Sequence, residues 1–183
     1  MRRRRRFLLF QLRENAPQLA IRSTAAMHAF QRLQTERRAY GKRVEAMFAH
    51  KLLSMGYEKV GTPNRSRMTA PMHFPRSRQF YGECTVYGRK TDLFLGLSDG
   101  RVAAVEAKDS SSVVNSVKRV LNDTAAKAQE WHRHAGMTIV PIALLSGVFG
   151  VNDLQRAQMA GLFLVWLHDL APIEEWLHIV GTE

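Results

Sequence analysis

The sequence predicts an α/β fold, with a mixed central β-sheet flanked by helices and preceded by a basic helical arm. Before Gln79, apolar residues recur at helical spacing. From Gln79 onwards short β-favouring runs are broken by glycines, and helical and β-like segments then alternate. A chain of 183 residues is long enough for one domain with a substantial core. We therefore divide it into an arm of residues 1–38 and a domain of residues 39–183.

Two helices are expected before the sheet. The segment from Arg22 to about Arg38 combines apolar residues at helical spacing with several arginines, which predicts a basic amphipathic helix. A second helix is expected after Gly41 and ends near Gly56. Its apolar stripe consists of Val44, Met47, Phe48, Leu52 and Met55. Three prolines and four arginines in the next segment, Gly61–Arg78, predict a basic and mostly irregular loop.

Three consecutive strands are predicted next, at Phe80–Tyr87, Lys90–Leu97 and Arg101–Lys108. The dipeptide Asp99-Gly100 between the last two is typical of a hairpin turn, which predicts that these two strands are antiparallel neighbours.

Helical and β-like segments alternate in the remainder of the chain. Pro141 cannot donate to a strand ladder, so its strand is expected at a sheet edge or a bulge. The predicted elements are a long helix from after Ser112 to Gly136, a strand at Thr138–Leu145, a helix from Asn152 or Asp153 to Ala160, and a strand at Leu162–Trp166.

The charge balance indicates a polyanionic partner. The formal net charge is +11 and the isoelectric point is near 10.5, which makes nucleic acid the leading partner and an anionic membrane surface the second. No membrane span is expected, because the longest apolar run, Gly161–Leu167, is far shorter than the ~20 residues that cross a bilayer. The single cysteine, Cys84, excludes an intramolecular disulfide, so a reducing cytoplasm is the expected location.

Charged side chains on the predicted hairpin form the candidate site. Alternation along Arg101–Lys108 places Glu106 and Lys108 on one face of an otherwise apolar strand, and the hairpin brings Asp92 towards them. Two carboxylates are suitable oxygen ligands for Mg²⁺, and a neighbouring lysine supplies positive charge where a phosphate reacts. The alternative is that all three are ordinary surface charges.

Glu45 is a further candidate, at the flank of the second helical stripe. A carboxylate there can reach the same cluster if the stripe packs on the sheet, and a solvated helix residue is the equal alternative.

The order of these motifs resembles the PD-(D/E)xK nuclease superfamily. More narrowly, the chain is similar to the XamI-type type II restriction endonucleases over roughly Tyr57–Leu170. The stretches that carry this likeness are Arg89–Phe94, Glu106–Ser112, Asn115–Arg119, Asn122-Asp123 and Lys127-Ala128. Thr91 stands before Asp92 where the superfamily motif has proline.

The resemblance implies a restriction-endonuclease-like fold and Mg²⁺-dependent cleavage of double-stranded DNA. It further implies a homodimer that acts together with a protective DNA methyltransferase. At the positions of this sequence that match the family's motif, the resemblance implies that Asp92 and Glu106 bind the metal and that Lys108 is the catalytic lysine. It also implies that Glu45 is the acidic position of the first helix. Two rival functions remain: a repair nuclease or junction resolvase of the same fold, and a non-catalytic nucleic-acid-binding protein.

Basic and polar residues near the predicted strands are the expected DNA contacts. The start of the helix after Lys108 can hold a phosphate through its free N–H groups, although ordinary caps and solvated charges are equally compatible with its composition. The predicted contacts are Arg65, Arg67, Arg89, Lys90, Asn115, Ser116, Lys118 and Arg119.

Overall fold

The computed structural model describes residues 27–29, 31–32, 35–36, 39–63, 67–110 and 123–180. The chain divides into two compact units, Met1–Tyr40 and Gly41–Glu183. The described residues of the first unit are helical and exposed, and the rest of the predicted basic helix lies outside the described residues. The arm of residues 1–38 and the domain of residues 39–183 stay a prediction.

The second unit contains a six-stranded mixed sheet and a small three-stranded sheet. Its strands are β1 (Glu58–Lys59), β2 (Arg67–Met68), β3 (Gln79–Tyr81), β4 (Cys84–Val86), β5 (Arg89–Thr91), β6 (Leu93–Gly96), β7 (Val102–Ser110), β8 (Ile139–Gly147) and β9 (Phe163–Trp166). The large sheet has the order β1-β3-β6-β7-β8-β9, and the small one has the order β2-β4-β5. In the large sheet β6 is antiparallel to β3 and β7, whereas β7, β8 and β9 run parallel. The predicted mixed central sheet is therefore confirmed.

Helices cover both faces of the large sheet. They are α1 (residues 39–54), α2 (Ala126–Ala135), α3 (Val151–Met159) and α4 (Ala171–Ile179). Residues of α1 and α4 pack with Val105 and Ile142 on one face. On the other face Trp131 of α2 packs with Ala104, and Ala157 of α3 packs with Ala143. The strand β7 thus lies at the centre of an α/β/α arrangement, with alternate side chains facing opposite layers.

The predicted stripe on α1 is correct except at one position. Val44, Phe48 and Leu52 are buried, but Met47 is 56% exposed, because its position turns it away from the sheet. The helix ends as expected near Gly56, which has a φ of 82°. The Tyr57 N–H donates to the Leu52 carbonyl at 3.0 Å, a bond that commonly closes helices ending in a left-handed glycine.

The first two predicted strands are each divided in two. Phe80–Tyr87 breaks after β3, and Lys90–Leu97 breaks at Asp92. The reason is that β4 and β5 leave the large sheet and pair with each other, with Cys84 opposite Thr91. The third predicted strand is confirmed and extends to Ser110, and the Asp99-Gly100 turn joins β6 to β7 as predicted.

Pro141 was expected at an edge or a bulge, and this is wrong. It lies in β8, an interior strand whose register with β7 continues unbroken across Pro141. Pairing with β9 begins only at Ile142, so at Pro141 the strand borders β7 alone. In the part of the chain that the structure describes, no helix is long and apolar enough to cross a membrane.

Candidate active site

The β6–β7 hairpin places Asp92 directly beside Glu106. Leu93 pairs with Val105, so Asp92, one residue earlier, lies opposite Glu106. The Asp92 N–H donates to the Val105 carbonyl at 3.0 Å, and Asp92 Oδ2 accepts the Ala107 N–H at 2.8 Å. Two hydrogen bonds to β7 therefore fix the carboxylate of Asp92 at the bend between β5 and β6.

Thr91 strengthens the same bend. Its buried hydroxyl lies 3.0 Å from the Leu93 carbonyl and 2.9 Å from the Val105 carbonyl. The contact with Val105 ties the residue before Asp92 to β7, and the contact with Leu93 spans the bend at Asp92.

Glu106 and Lys108 share one face of β7, as the alternation predicted. The Glu106 side chain is only 2% exposed, and Lys108 Nζ lies 2.9 Å from its Oε2. Lys108 Nζ also donates to Asp123 Oδ2 at 2.8 Å. Because Glu106 and Lys108 are mostly shielded from water, their charges interact more strongly than those of a surface pair.

The ionisation of the pair reflects this burial. Burial raises the pKa of Glu106 and Lys108 opposes that shift, while the charge of Asp92 raises it further. Burial alone would lower the pKa of Lys108, but the carboxylates of Glu106 and Asp123 raise it above its usual value. Lys108 is therefore held as an ammonium at neutral pH.

Two residues of this cluster had no assigned role from the sequence. Lys127 of α2 donates to Glu106 Oε1 at 2.8 Å, so both oxygens of Glu106 face ammonium groups. Burial would raise the pKa of Asp123, but Lys108, Lys127 and Arg89 lower it below the usual range. Both residues lie in stretches that carry the family likeness, and their spacing of four residues is common on helix surfaces, but neither signal assigns them a role.

Glu45 lies on α1, which packs on the opposite face of the sheet from α2. Burial raises the pKa of Glu45, and the charges of Asp92 and Glu83 raise it further. The structure thus brings Glu45 within electrostatic range of Asp92.

Whether the site suits a metal ion depends on the chemistry of the carboxylates of Asp92 and Glu106. The described residues include no group of three or more His, Cys, Asp or Glu side chains arranged to hold a metal ion. However, Mg²⁺ commonly takes only one or two protein carboxylates and keeps several waters. Asp92 raises the pKa of Glu106, so a cation between the two carboxylates would relieve their repulsion. Asp92 and Glu106 therefore fit a hard divalent cation.

A family model described as XamI restriction endonuclease matches residues 12–166, which is most of the chain. The chain belongs to this family. The resemblance predicted from the motifs is confirmed, and the match begins earlier than the expected Tyr57. A curated XamI relative, the type II restriction enzyme XamI of Xanthomonas campestris pv. amaranthicola, is 35% identical over 130 residues. The match covers 70% of this chain and 46% of that enzyme, so this XamI-family chain spans about half the length of its relative.

A solved structure also resembles part of this XamI-family chain. The crystal structure of protein VC1899 from Vibrio cholerae is 16% identical and covers 57% of this chain and 29% of its own. Its TM-score against this chain is 0.42.

The predicted DNA contacts of this XamI-family chain are only partly described. Arg89 and Lys90 are exposed on β5, next to Asp92. Lys90 Nζ forms an ion pair of 2.6 Å with Glu83, and the charge of Arg89 acts on Asp123. Arg67 lies in β2. The remaining candidates lie outside the described residues: Arg65, Asn115, Ser116, Lys118 and Arg119.

Proposed function

We propose that this chain acts as a Mg²⁺-dependent type II restriction endonuclease that hydrolyses phosphodiester bonds in double-stranded DNA. The observation that carries the proposal is the placement of Asp92 opposite Glu106, with Lys108 on the same strand face as Glu106. Membership of the XamI family supports it, because the family is described as a restriction endonuclease.

Asp92 and Glu106 are the proposed metal-binding residues, and Glu45 is a proposed third ligand, since burial and the charge of Asp92 raise its pKa. When bound, the metal polarises the scissile phosphate and lowers the pKa of the attacking water. The backbone bond from Ala107 keeps Asp92 directed at the site, so its carboxylate needs little reorganisation.

Lys108 is the proposed electrostatic catalyst. Its pKa is raised by Glu106 and Asp123, so it carries a fixed positive charge rather than acting as a base. A buried ammonium stabilises the negative charge that develops on the phosphate oxygens during attack, and such groups contribute most where water is excluded.

Double-stranded DNA is the proposed substrate, and the net charge of +11 supports attraction to it. We propose Arg67, Arg89 and Lys90 as phosphate contacts, together with Arg65, Asn115, Ser116, Lys118 and Arg119. A homodimer, a cognate DNA methyltransferase and a cytoplasmic location complete the proposal. The last of these rests on Cys84 being the single cysteine.

Digestion of a supercoiled plasmid tests this proposal. With Mg²⁺ the protein should produce discrete linear fragments whose mapped ends share one sequence, and a chelator should stop the reaction. Nicks or smears in place of discrete fragments would favour a repair nuclease or junction resolvase. Binding without any metal-dependent cleavage would favour a non-catalytic DNA-binding protein.

A further inference from the structure

The ammonium of Lys127 lies among oxygens that resemble the surroundings of a bound cation. Its Nζ is 2.8 Å from Glu106 Oε1 and 2.9 Å from the Lys90 carbonyl oxygen. Asp123 Oδ1 is a third oxygen at 3.9 Å. Two carboxylates and a backbone carbonyl are also the kinds of ligand that hard divalent cations prefer.

We propose that Lys127 is a positioning residue that occupies the cation side of Glu106 and is displaced towards Asp123 when a divalent cation binds. This inference rests on the proposed function, because it assigns Glu106 to the metal. Lys127 pairs with the buried carboxylate when no cation is present, and it competes with the cation for Oε1.

Burial explains why Glu106 needs such a partner. A carboxylate that is 2% exposed has little access to water, and leaving a buried charge unpaired is strongly destabilising. Lys108 is paired with Oε2, which leaves Oε1 to Lys127. Each oxygen of Glu106 thus has its own counter-ion.

Lys108 and Lys127 differ in their present contact with the carboxylate of Asp123. Lys108 already donates to Asp123 at 2.8 Å, whereas Lys127 lies 3.9 Å from the other oxygen of that carboxylate. The Asp123 side chain is 51% exposed and can adjust to receive a second ammonium. Lys127 can therefore leave Glu106 by a short movement without losing a carboxylate partner.

Calcium binding in the absence of DNA tests the inference without relying on cleavage. Lys127→Met should bind Ca²⁺ about ten-fold more tightly than the unmodified chain in calorimetric titrations, because no charge-assisted hydrogen bond to Glu106 has to be broken. Lys127→Arg keeps the charge and should bind Ca²⁺ close to the unmodified level. Arg133→Met is the matched control, since Arg133 lies on the same helix and pairs with Glu130.

Thermal unfolding gives a second readout. Without metal, Lys127→Met should melt at a lower temperature than Lys127→Arg, and saturating Ca²⁺ should raise its melting temperature more than it raises that of the unmodified chain. If Lys127→Met does not fold, Lys127→Gln removes the positive charge but retains an N–H donor for Glu106, so it should bind Ca²⁺ more tightly than the unmodified chain, by less than the roughly ten-fold expected for Lys127→Met.

Equal or weaker Ca²⁺ binding in the neutral variants, beside measurable binding by the unmodified chain, would overturn this inference and leave the proposed function intact. Absence of Ca²⁺ and Mg²⁺ binding in every variant would overturn the proposed function, and this inference with it.

Discussion

Replacement of Lys108 by Met removes the ammonium that bridges Glu106 and Asp123, at 2.9 and 2.8 Å respectively. We expect this change to lower both the stability of the protein and the rate of its chemical step. The two effects have different causes and can be measured separately.

The expected loss of stability follows from the burial of the cluster. Removing one partner of a buried ion pair typically costs about 3–5 kcal/mol, because the other charge is left uncompensated. Here Lys127 still pairs with Glu106 Oε1, and Asp123 is half exposed to water. The loss should therefore lie at or below the lower end of that range, at about 2–3 kcal/mol.

The expected loss of rate follows from the role of the charge. Removing one group that stabilises negative charge in a transition state commonly slows a reaction by about 10²–10³-fold. Single-turnover cleavage at saturating enzyme and Mg²⁺ isolates that step, provided that urea titration first shows the variant to be folded at the assay temperature.

Lys51→Met is the matched control. Lys51 forms an ion pair of 2.7 Å with Glu174, and both side chains are about one-third exposed, so its loss should cost less than about 1 kcal/mol and leave cleavage unchanged. An unchanged single-turnover rate for Lys108→Met, accompanied only by weaker DNA binding, would refute the electrostatic role and make Lys108 a phosphate contact.

Two further predictions concern binding and packing. Arg89→Ala should reduce the slope of log K for DNA binding against log salt concentration by about 0.9. The double change of Lys118 and Arg119 to Ala should reduce that slope by about one to two units. An unchanged slope across a salt series would remove these residues from the DNA surface. Gly96→Ala should destabilise the fold by about 1–3 kcal/mol in urea titrations, because a Cβ there would clash with the Arg76 carbonyl oxygen. Gly82→Ala, which has open space around it, should change stability far less, and equal effects would contradict the packing argument.

The hairpin and the pairing of its charges could be predicted because their signals are local. Asp99-Gly100 specifies a tight turn, and Gly100 has a φ of 83°, which favours glycine. Alternation along β7 then separates Glu106 and Lys108 from Val105 and Ala107 without any knowledge of the rest of the fold.

The break at Asp92 could not be predicted in the same way. The sequence predicts Lys90–Leu97 as one strand, whereas its interruption depends on bonds that join Asp92 and Thr91 to β7. The position of Pro141 in an interior strand likewise depends on where β9 begins to pair with β8. Both are properties of tertiary contacts, which local patterns do not contain.

The role of Lys127 was missed for a related reason. It reaches Glu106 because α2 packs on the face of β7 that carries this carboxylate, and that packing joins residues far apart in the chain. Met47 is exposed although helical spacing placed it in the apolar stripe, because that spacing alone does not determine how wide the buried stripe is.

The most direct test of the central claim compares cleavage and DNA binding in Asp92→Asn, Asp92→Ala and Glu106→Ala. Asp92→Asn retains an acceptor for the Ala107 N–H and removes only the charge, so it separates the role of the carboxylate from the stability of the bend. The claim that Asp92 and Glu106 serve the metal predicts that all three variants lose Mg²⁺-dependent cleavage while their DNA affinity stays within about ten-fold of the unmodified chain. Cleavage by the folded variants at the unmodified rate would contradict it.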